Sequence, residues 1–397
     1  MTINNTIENK IILIGGEQHN GIGIARSLGV KGIMPYGIIT SPGERRYTSK
    51  SKFWKETWLV LDDENGIMTV LRQEFNSEKQ KPIIIPYSDL AEEVIDKNLN
   101  ELKQKFIVPS INGMQGAVNK LQDKNIQYKL AQDYGIPMAK SWVINISPVL
   151  SIPNDISFPC ILKPQVSSEG DKRDIVICKN IDQLENAIKI LESKSYKRIF
   201  AQEYINKDYE LDLFGCIMMN SNEIILCPLR IIREWPVSGG TNCYSSFVID
   251  QGIRNECIKI VEVLRYIGFR GTYDIELFNV KGKIYLNEIN FRNSGNGHCS
   301  VFQEMYYPYI WCLDAAGLRI PNFKKYADKA GYVMTEVTDF RHVIYGHLGF
   351  KNWLADLHKT NCFMLFDKRD MKPFWNRILY YIKQSMHKGK EQRKKAE

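Results

Sequence analysis

The chain has 397 residues, 44% of them hydrophobic and 25% charged, which gives room for two or three domains with a sizeable core and excludes disorder as the default. No apolar run reaches the ~18 residues that cross a bilayer, and the opening MTINNTIENK lacks the charged-then-apolar order of a secretory signal. The formal net charge of +8 favours an anionic partner, and part of it is local, since the last eleven residues hold five Lys or Arg against two Glu. Nine cysteines are scattered with no CxxC pair and no zinc-like His spacing, the pattern of buried thiols in a reducing compartment. A cytoplasmic protein is expected.

Residues 11–14 form a short apolar strand ended by Gly15-Gly16, and a helix over about 21–28 follows. Gly15, Gly16, Gly21 and Gly23 do not spell GxGxxG, so they are read as a tight turn that needs glycine, not as a dinucleotide site. Further strands are expected at 37–40, 58–61 and 82–86, a helix at 88–99 and one more strand end at 107–109. Such alternation implies a doubly wound, mostly parallel α/β domain over residues 1–110. Helical sequence then runs through Asp123-Lys124 to Tyr134, where Gly135-Ile136-Pro137 stops it. Strands at 141–146, 159–164 and 175–178 flank a proline-rich loop (152–159) and a polar one (165–174). An amphipathic helix at 181–192, strands at 198–204, 211–219 and 224–232, and a helix at 252–267 follow.

That last helix delivers the chain into a hairpin whose turn is Val280-Lys281-Gly282-Lys283. Asp274 and Glu276 alternate with Tyr273, Ile275 and Leu277, so the two carboxylates share a face. With the turn centred on Gly282, Glu276 falls opposite Glu288 and Asp274 opposite Asn290. Like charges so placed repel unless something neutralises them. Glu276, Glu288 and Asn290 offer hard oxygen donors suited to Mg2+ arriving with nucleotide phosphates, and Arg292 points the same way as a fixed cation.

Four local patterns, in order along the chain, resemble the ATP-grasp superfamily of carboxylate-amine ligases over roughly residues 110–315. They are Asp123-Lys124 with Gly135-Ile136-Pro137; Ile161-Leu162-Lys163-Pro164; Gln202-Glu203-Tyr204-Ile205 with Glu210; and Glu276 with Asn287-Glu288-Ile289-Asn290-Phe291-Arg292. The resemblance implies an ATP-grasp fold (α/β and α+β) preceded by a Rossmann-like α/β domain at 1–110, with a lid and first subdomain at 111–200, a catalytic subdomain at 201–320 and a C-terminal extension at 321–397. It implies ATP and Mg2+ as cofactors, with Mn2+ as an alternative ion. The carried-over roles put Lys124 and Lys163 on the phosphates, Glu203, Tyr204 and Ile205 against adenine, Glu210 on the ribose, and Glu276, Glu288 and Asn290 on the metal. Lys163 and Arg292 are the implied catalytic groups. Phosphoryl transfer depends on charge neutralisation more than on covalent chemistry, which is why lysines and metal-binding carboxylates are its working parts. The stretch 165–172 departs from the family's glycine-rich phosphate loop, holding one glycine, and there Ser168 is the candidate phosphate donor beside Ser167 and Lys172.

Arg230, Arg233 and Trp235, leading into residues 238–242, are candidates for substrate recognition, together with Arg292. Paired arginines clamp carboxylates well. His298 in the Asn293-Ser294-Gly295 loop is read as structural before catalytic. From Met371 the sequence changes character: Trp375, Ile378, Leu379, Ile382 and Met386 make a helical apolar stripe beside Arg377, Lys383 and the basic tail. This stripe is a candidate for peripheral contact with the inner face of a membrane or for docking on the protein itself. The expected function is ATP-dependent activation of a carboxylate as an acyl phosphate and its transfer to an amine, in an amino acid or a cell-envelope or polysaccharide precursor, as in D-aspartate ligase-like relatives. The competing expectation is a catalytically inactive ATP-binding regulator or scaffold. Small-molecule substrates and no nucleic acid are the expected partners; the oligomeric state is left open.

Overall fold

The computed structural model describes residues 6–41, 47–146, 150–165, 174–194, 196–237 and 239–394, with the side chains of the last helix described as far as Lys383. A parallel sheet opens the chain, from β1 (Ile11–Gly16), β2 (Tyr36–Thr40), β3 (Glu56–Val60) and β4 (Ile83–Pro86), in the order β3-β2-β1-β4. Helices α1 (His19–Gly29), α2 (Glu64–Glu74), α3 (Asp89–Lys97) and α4 (Leu99–Lys105) connect and cover it. Alternate residues of β1 feed two cores: Ile12 and Ile14 pack with Ile67, Leu71 and Val94, and Ile11 and Leu13 with Ile24 and Leu28. Burial on both faces explains the unbroken apolar runs. Helix α2 was absent from the sequence expectations, although Ile67, Met68, Val70 and Leu71 form its buried face behind the Asp63 cap, which accepts a hydrogen bond from the Gly66 N–H.

The early glycines do something other than turn. None of Gly15, Gly16, Gly21 and Gly23 has a positive φ. A Cβ on Gly15 or Gly21 would lie 2.5 or 2.7 Å from the Tyr87 ring, and one on Gly23 would lie 2.7 Å from His298 Cβ. Their smallness lets Tyr87 and the 293–298 loop press onto β1 and α1. His298 is buried, and desolvation holds its imidazole down to about 4.

After β5 (Ser110–Ile111), α5 (Ala117–Leu121) and α6 (Lys124–Asp133) comes a small antiparallel sheet. It contains β6 (Ser141–Asn145), β7 (Cys160–Pro164), β8 (Val176–Cys178) and β9 (Arg198–Glu203), ordered β6-β9-β7-β8 and backed by α7 (Ile181–Ser193). The division expected at 200/201 therefore falls inside β9. Helices α5 and α6 belong with the next sheet, whose core they enter through Val118 and Ala131.

The large sheet runs β14-β13-β10-β11-β12-β15-β16. Its strands are β10 (Tyr209–Ile217), β11 (Ile224–Trp235), β12 (Thr241–Phe247), β13 (Phe269–Val280), β14 (Lys283–Asn290), β15 (Tyr332–Met334) and β16 (Thr360–Phe363), and β5 pairs with β13. Helices α8 (Gln251–Tyr266) and α9 (Tyr307–Ala315) pack on it, with α10 (Glu336–Asp339), α11 (Arg341–Ile344), α12 (Phe350–Lys359) and α13 (Lys372–Lys394) completing the chain. The C-terminal extension is thus part of the fold, because it contributes two strands. It is also locked to the first sheet's layer: Arg26 of α1 and Asp370 form an ion pair 3.0 Å long, with side chains 0% and 1% exposed. All nine cysteines are buried and unbridged.

Candidate active site

The hairpin of β13 and β14 turns through Lys281 (φ 51°) and Gly282 (φ 84°), so Val280 pairs with Lys283. Two consecutive positive φ values are what a two-residue turn matched to the strand twist requires. Continued regularly, that register would set Glu276 opposite Asn287. A bulge intervenes, Asn287 becomes the extra residue, and Glu276 pairs with Glu288 and Asp274 with Asn290. The predicted facing pairs are present, for a reason the turn alone does not supply.

The bulged Asn287 joins the carboxylates. Its Nδ2 donates to Glu276 Oε2 at 2.9 Å, and its Oδ1 accepts from Lys163 Nζ at 3.3 Å. Lys163, at the end of β7, also donates to Gln202 Oε1 at 2.9 Å. Lys124, the first residue of α6, reaches Glu288 Oε1 at 3.1 Å. Four elements, α6, β7, β13 and β14, therefore bring Lys124, Lys163, Glu276 and Glu288 to one place. Helix α6 is aimed there by its cap, where Asp123 accepts from the Asn125 and Ile126 N–H groups and takes Gln165 Nε2 at 2.6 Å. Gln127 then pins α6 to β14 by a reciprocal pair with the Ile289 backbone, both bonds 2.9 Å.

Burial pushes the Lys163 ammonium down to about 8; Glu288 and Glu276 oppose this, and Lys124 adds to it. A desolvated cation beside a second cation favours an arriving polyanion. On β10, Asp212 lies opposite Glu276 on the far side of β13. Its carboxyl is pushed well above the usual range by burial and then by Asp274, and it accepts from Asn296 Nδ2. Its buried Oδ1 has no hydrogen-bond partner. Glu276 and Glu288 face each other across the hairpin and Asp212 faces Glu276 from β10, all carrying oxygens of the hard type that Mg2+ takes. The sequence reading missed Asp212, although an aspartate inside the apolar run LDLFGC was a visible signal.

Arg292 sits at the junction with the parallel sheet. Its Nε donates to Asp89 Oδ1 at 2.6 Å and its Nη1 to Asp274 Oδ2. These carboxylates hold the guanidinium charged against its burial. Asp274, ranked below Glu276 as a metal ligand, here serves as the partner of Arg292. Asp89, the first residue of α3, went unnoticed in the sequence.

At the hinge after β9, the Glu203 N–H bonds Lys140 O at 2.8 Å and the Tyr204 N–H bonds Pro159 O at 3.0 Å. No main-chain acceptor takes the Ile205 N–H among the described residues. Glu210 of β10 pairs with Lys207 and lines a cavity of about 260 Å3 with Ile231, Arg233, Glu234, Val237 and His342. Ser168, like Ser167, Lys172 and Ser238, lies outside the described residues.

The expected pairing of Arg230 with Arg233 is not the one the structure makes. Arg230 lies 4.4 Å over the Tyr209 ring. Arg233 donates to both oxygens of Asp339 at 2.9 Å and to Asp356 at 2.7 Å, so carboxylates of the C-terminal segment fill its fork. Those acids are more than a hundred residues away in sequence, beyond the reach of any local pattern. Trp235 meets His342 edge-on and Tyr345 at a tilt.

Comparison with known proteins finds likenesses over much of the chain. Residues 129–305 match the family model for the ATP-grasp domain. A formate-dependent phosphoribosylglycinamide formyltransferase from Wolinella succinogenes is 24% identical over 224 residues, covering 54% of each chain. Its counterpart from Prochlorococcus marinus subsp. pastoris is 26% identical over 270 residues, covering 60% of this chain and 66% of that protein. The chain thus spans between about half and two thirds of these relatives. Among solved structures, N5-carboxyaminoimidazole synthetase from Staphylococcus aureus complexed with ADP superposes with a TM-score of 0.64 at 17% identity, covering 87% of this chain and 88% of that one. An L-amino acid ligase from Bacillus licheniformis gives 0.60 at 14%, covering 78% and 75%.

Proposed function

We propose that this chain, whose residues 129–305 match the ATP-grasp domain, is an ATP-dependent, Mg2+-requiring ligase that activates a carboxylate and joins it to an amine. The observation that carries the reading is the convergence of Lys124, Lys163 and Asn287 on the facing Glu276 and Glu288. Lys124 and Lys163 take the phosphates as point charges, and Lys163 does so from a desolvated position where a cation is worth most. Glu276 and Glu288, with Asn290, hold Mg2+, whose contribution when bound is neutralisation of the β- and γ-phosphates. Glu203, Tyr204 and Ile205 receive adenine, for which the Ile205 N–H is the donor, and Glu210 takes the ribose. Ser168 supplies a loop contact.

In the chemical step a carboxylate oxygen attacks the γ-phosphorus, the bond to the β-phosphate oxygen breaks, and ADP leaves. The amine then attacks the acyl carbon of the acyl phosphate, inorganic phosphate departs, and the amine loses a proton. Arg292, braced by Asp89 and Asp274, positions the acid at the junction of the parallel and large sheets. Of the two β11 arginines, Arg230 is exposed beside Tyr209 on the sheet face of Leu211, opposite that of Asp212 and Glu276, and Arg233 is held by Asp339 and Asp356 in the cavity that Glu210 lines.

Formate and a phosphoribosylglycinamide are the first candidate substrates, a reading supported by the likeness to the formate-dependent phosphoribosylglycinamide formyltransferases. An amino acid or a cell-envelope precursor is the second class. ADP release measured with ATP and Mg2+ over formate, amino acids and sugar acids, each with and without amine acceptors, tests the proposal. Carboxylate-dependent ADP formation supports it; tight ATP binding with no turnover on any acid supports the inactive regulator instead.

A further inference from the structure

Helix α13 turns the wrong side outward for a helix that only braces the fold. Its inner side is occupied: the Arg377 guanidinium lies 4.7 Å from both the Tyr47 and Tyr381 rings, and Phe374 packs edge-on against Phe366. Its outer side carries Trp375, Leu379 and Ile382, which are 53%, 55% and 51% exposed. Spaced i, i+4, i+7, they form one row. Arg341 lies 4.9 Å from the Trp235 ring and 5.9 and 5.7 Å from those of Tyr345 and Tyr381, and so links α13 to the end of α11, where Ile344 and Tyr345 are 65% and 59% exposed. Three large apolar side chains thus face outward along α13, with Ile344 and Tyr345 exposed at the end of α11.

We propose that this face is a docking surface for an anionic lipid bilayer, with α13 lying in the plane of the headgroups. Charge selects this occupant. Between Met371 and Lys390 the sequence holds no Asp or Glu, and Lys372 and Lys383 fall beside the Trp375, Leu379 and Ile382 row at helical spacing. A second copy of the chain docking by the same face would bring these like charges together, which disfavours a symmetric pair. A row of Trp, Leu and Ile with Lys372 and Lys383 along its edge suits the boundary between headgroups and acyl chains. No helix among the described residues is long and apolar enough to cross a membrane, so the contact is peripheral.

The test is co-sedimentation of the full chain with phosphatidylcholine vesicles, with and without phosphatidylserine, at low and high salt. Wild type is expected in the pellet with phosphatidylserine vesicles and in the supernatant with phosphatidylcholine alone. The double variant Leu379→Asp/Ile382→Asp is expected to weaken binding at least tenfold with an unchanged melting temperature. Lys383→Gln is expected to weaken it about fivefold on phosphatidylserine vesicles. Wild type remaining in the supernatant with anionic vesicles overturns the proposal. So does wild-type binding by the double variant, or a solution dimer that the double variant dissociates.

Discussion

Replacing Asp370 with alanine should destabilise the whole fold, because it strands a cation in the core. Asp370 Oδ2 accepts from Arg26 Nε at 3.0 Å and Ser51 Oγ at 2.6 Å, and its Oδ1 accepts from the Lys52 N–H at 2.9 Å. Removing one member of a buried pair costs about 3–5 kcal/mol. Here Arg26 keeps the carbonyls of Met364, Leu365 and residue 370, which places the loss near the lower end, about 3 kcal/mol. Against a typical stability of about 5–15 kcal/mol that is a large fraction. Urea unfolding of wild type and Asp370→Ala, compared by midpoint and slope, measures it. The paired variant Arg26→Met/Asp370→Leu should recover most of the loss, since apolar residues of similar volume satisfy the same space. A loss below about 1 kcal/mol in the single variant would refute the view that the extension is clamped through this pair.

Two further outcomes follow from the same geometry. Burial pushes the Glu92 carboxyl up to about 8 from an ordinary 4.5, so its folded value lies above its unfolded one. Its favourable contribution is then complete below about pH 4.5 and is lost as pH rises through about 8, by roughly 1.4 kcal/mol per pH unit. Glu92→Gln should therefore gain on wild type in urea midpoint between pH 5 and pH 8; a pH-independent difference would dismiss the assignment. Asn287→Ala removes the links to Glu276 and Lys163, and hydrogen bonds to charged groups are worth about 1.5–3 kcal/mol each. ADP formation should fall by about ten- to a hundredfold with the melting temperature little changed, whereas a rate within twofold of wild type would exclude a part for the bulge.

Much of the fold was legible because the period of the apolar residues carried it. The parallel strands at 11–16, 36–40 and 83–86, the helix at 181–193 and the hairpin all follow from alternation, runs and turn residues. At the site, Lys124, Lys163, Glu276 and Glu288 were visible as local patterns, and the structure brings them together. What was hidden depended on contacts distant in sequence. Asp89 meets Arg292 across 203 residues, Gln127 pins Ile289 across 162, and Arg233 is taken by Asp339 and Asp356. The two strands of the C-terminal segment, of three and four residues, are too short to show a period, so their place at the sheet edge could not be read. The bulge at Asn287 is the instructive case. Turn and register rules together predict a pairing one residue off, and the extra residue both restores the facing glutamates and adds a ligand to Lys163.

The most direct measurement of the central claim compares Glu288→Gln with wild type in two assays, calorimetric ATP binding and ADP formation with Mg2+ and a productive carboxylate. Loss of the carboxylate charge should abolish ADP formation while the variant keeps its melting temperature and a measurable affinity for ATP. Near-normal ADP formation by Glu288→Gln would contradict the assignment of the β13–β14 hairpin as the metal end of the nucleotide site.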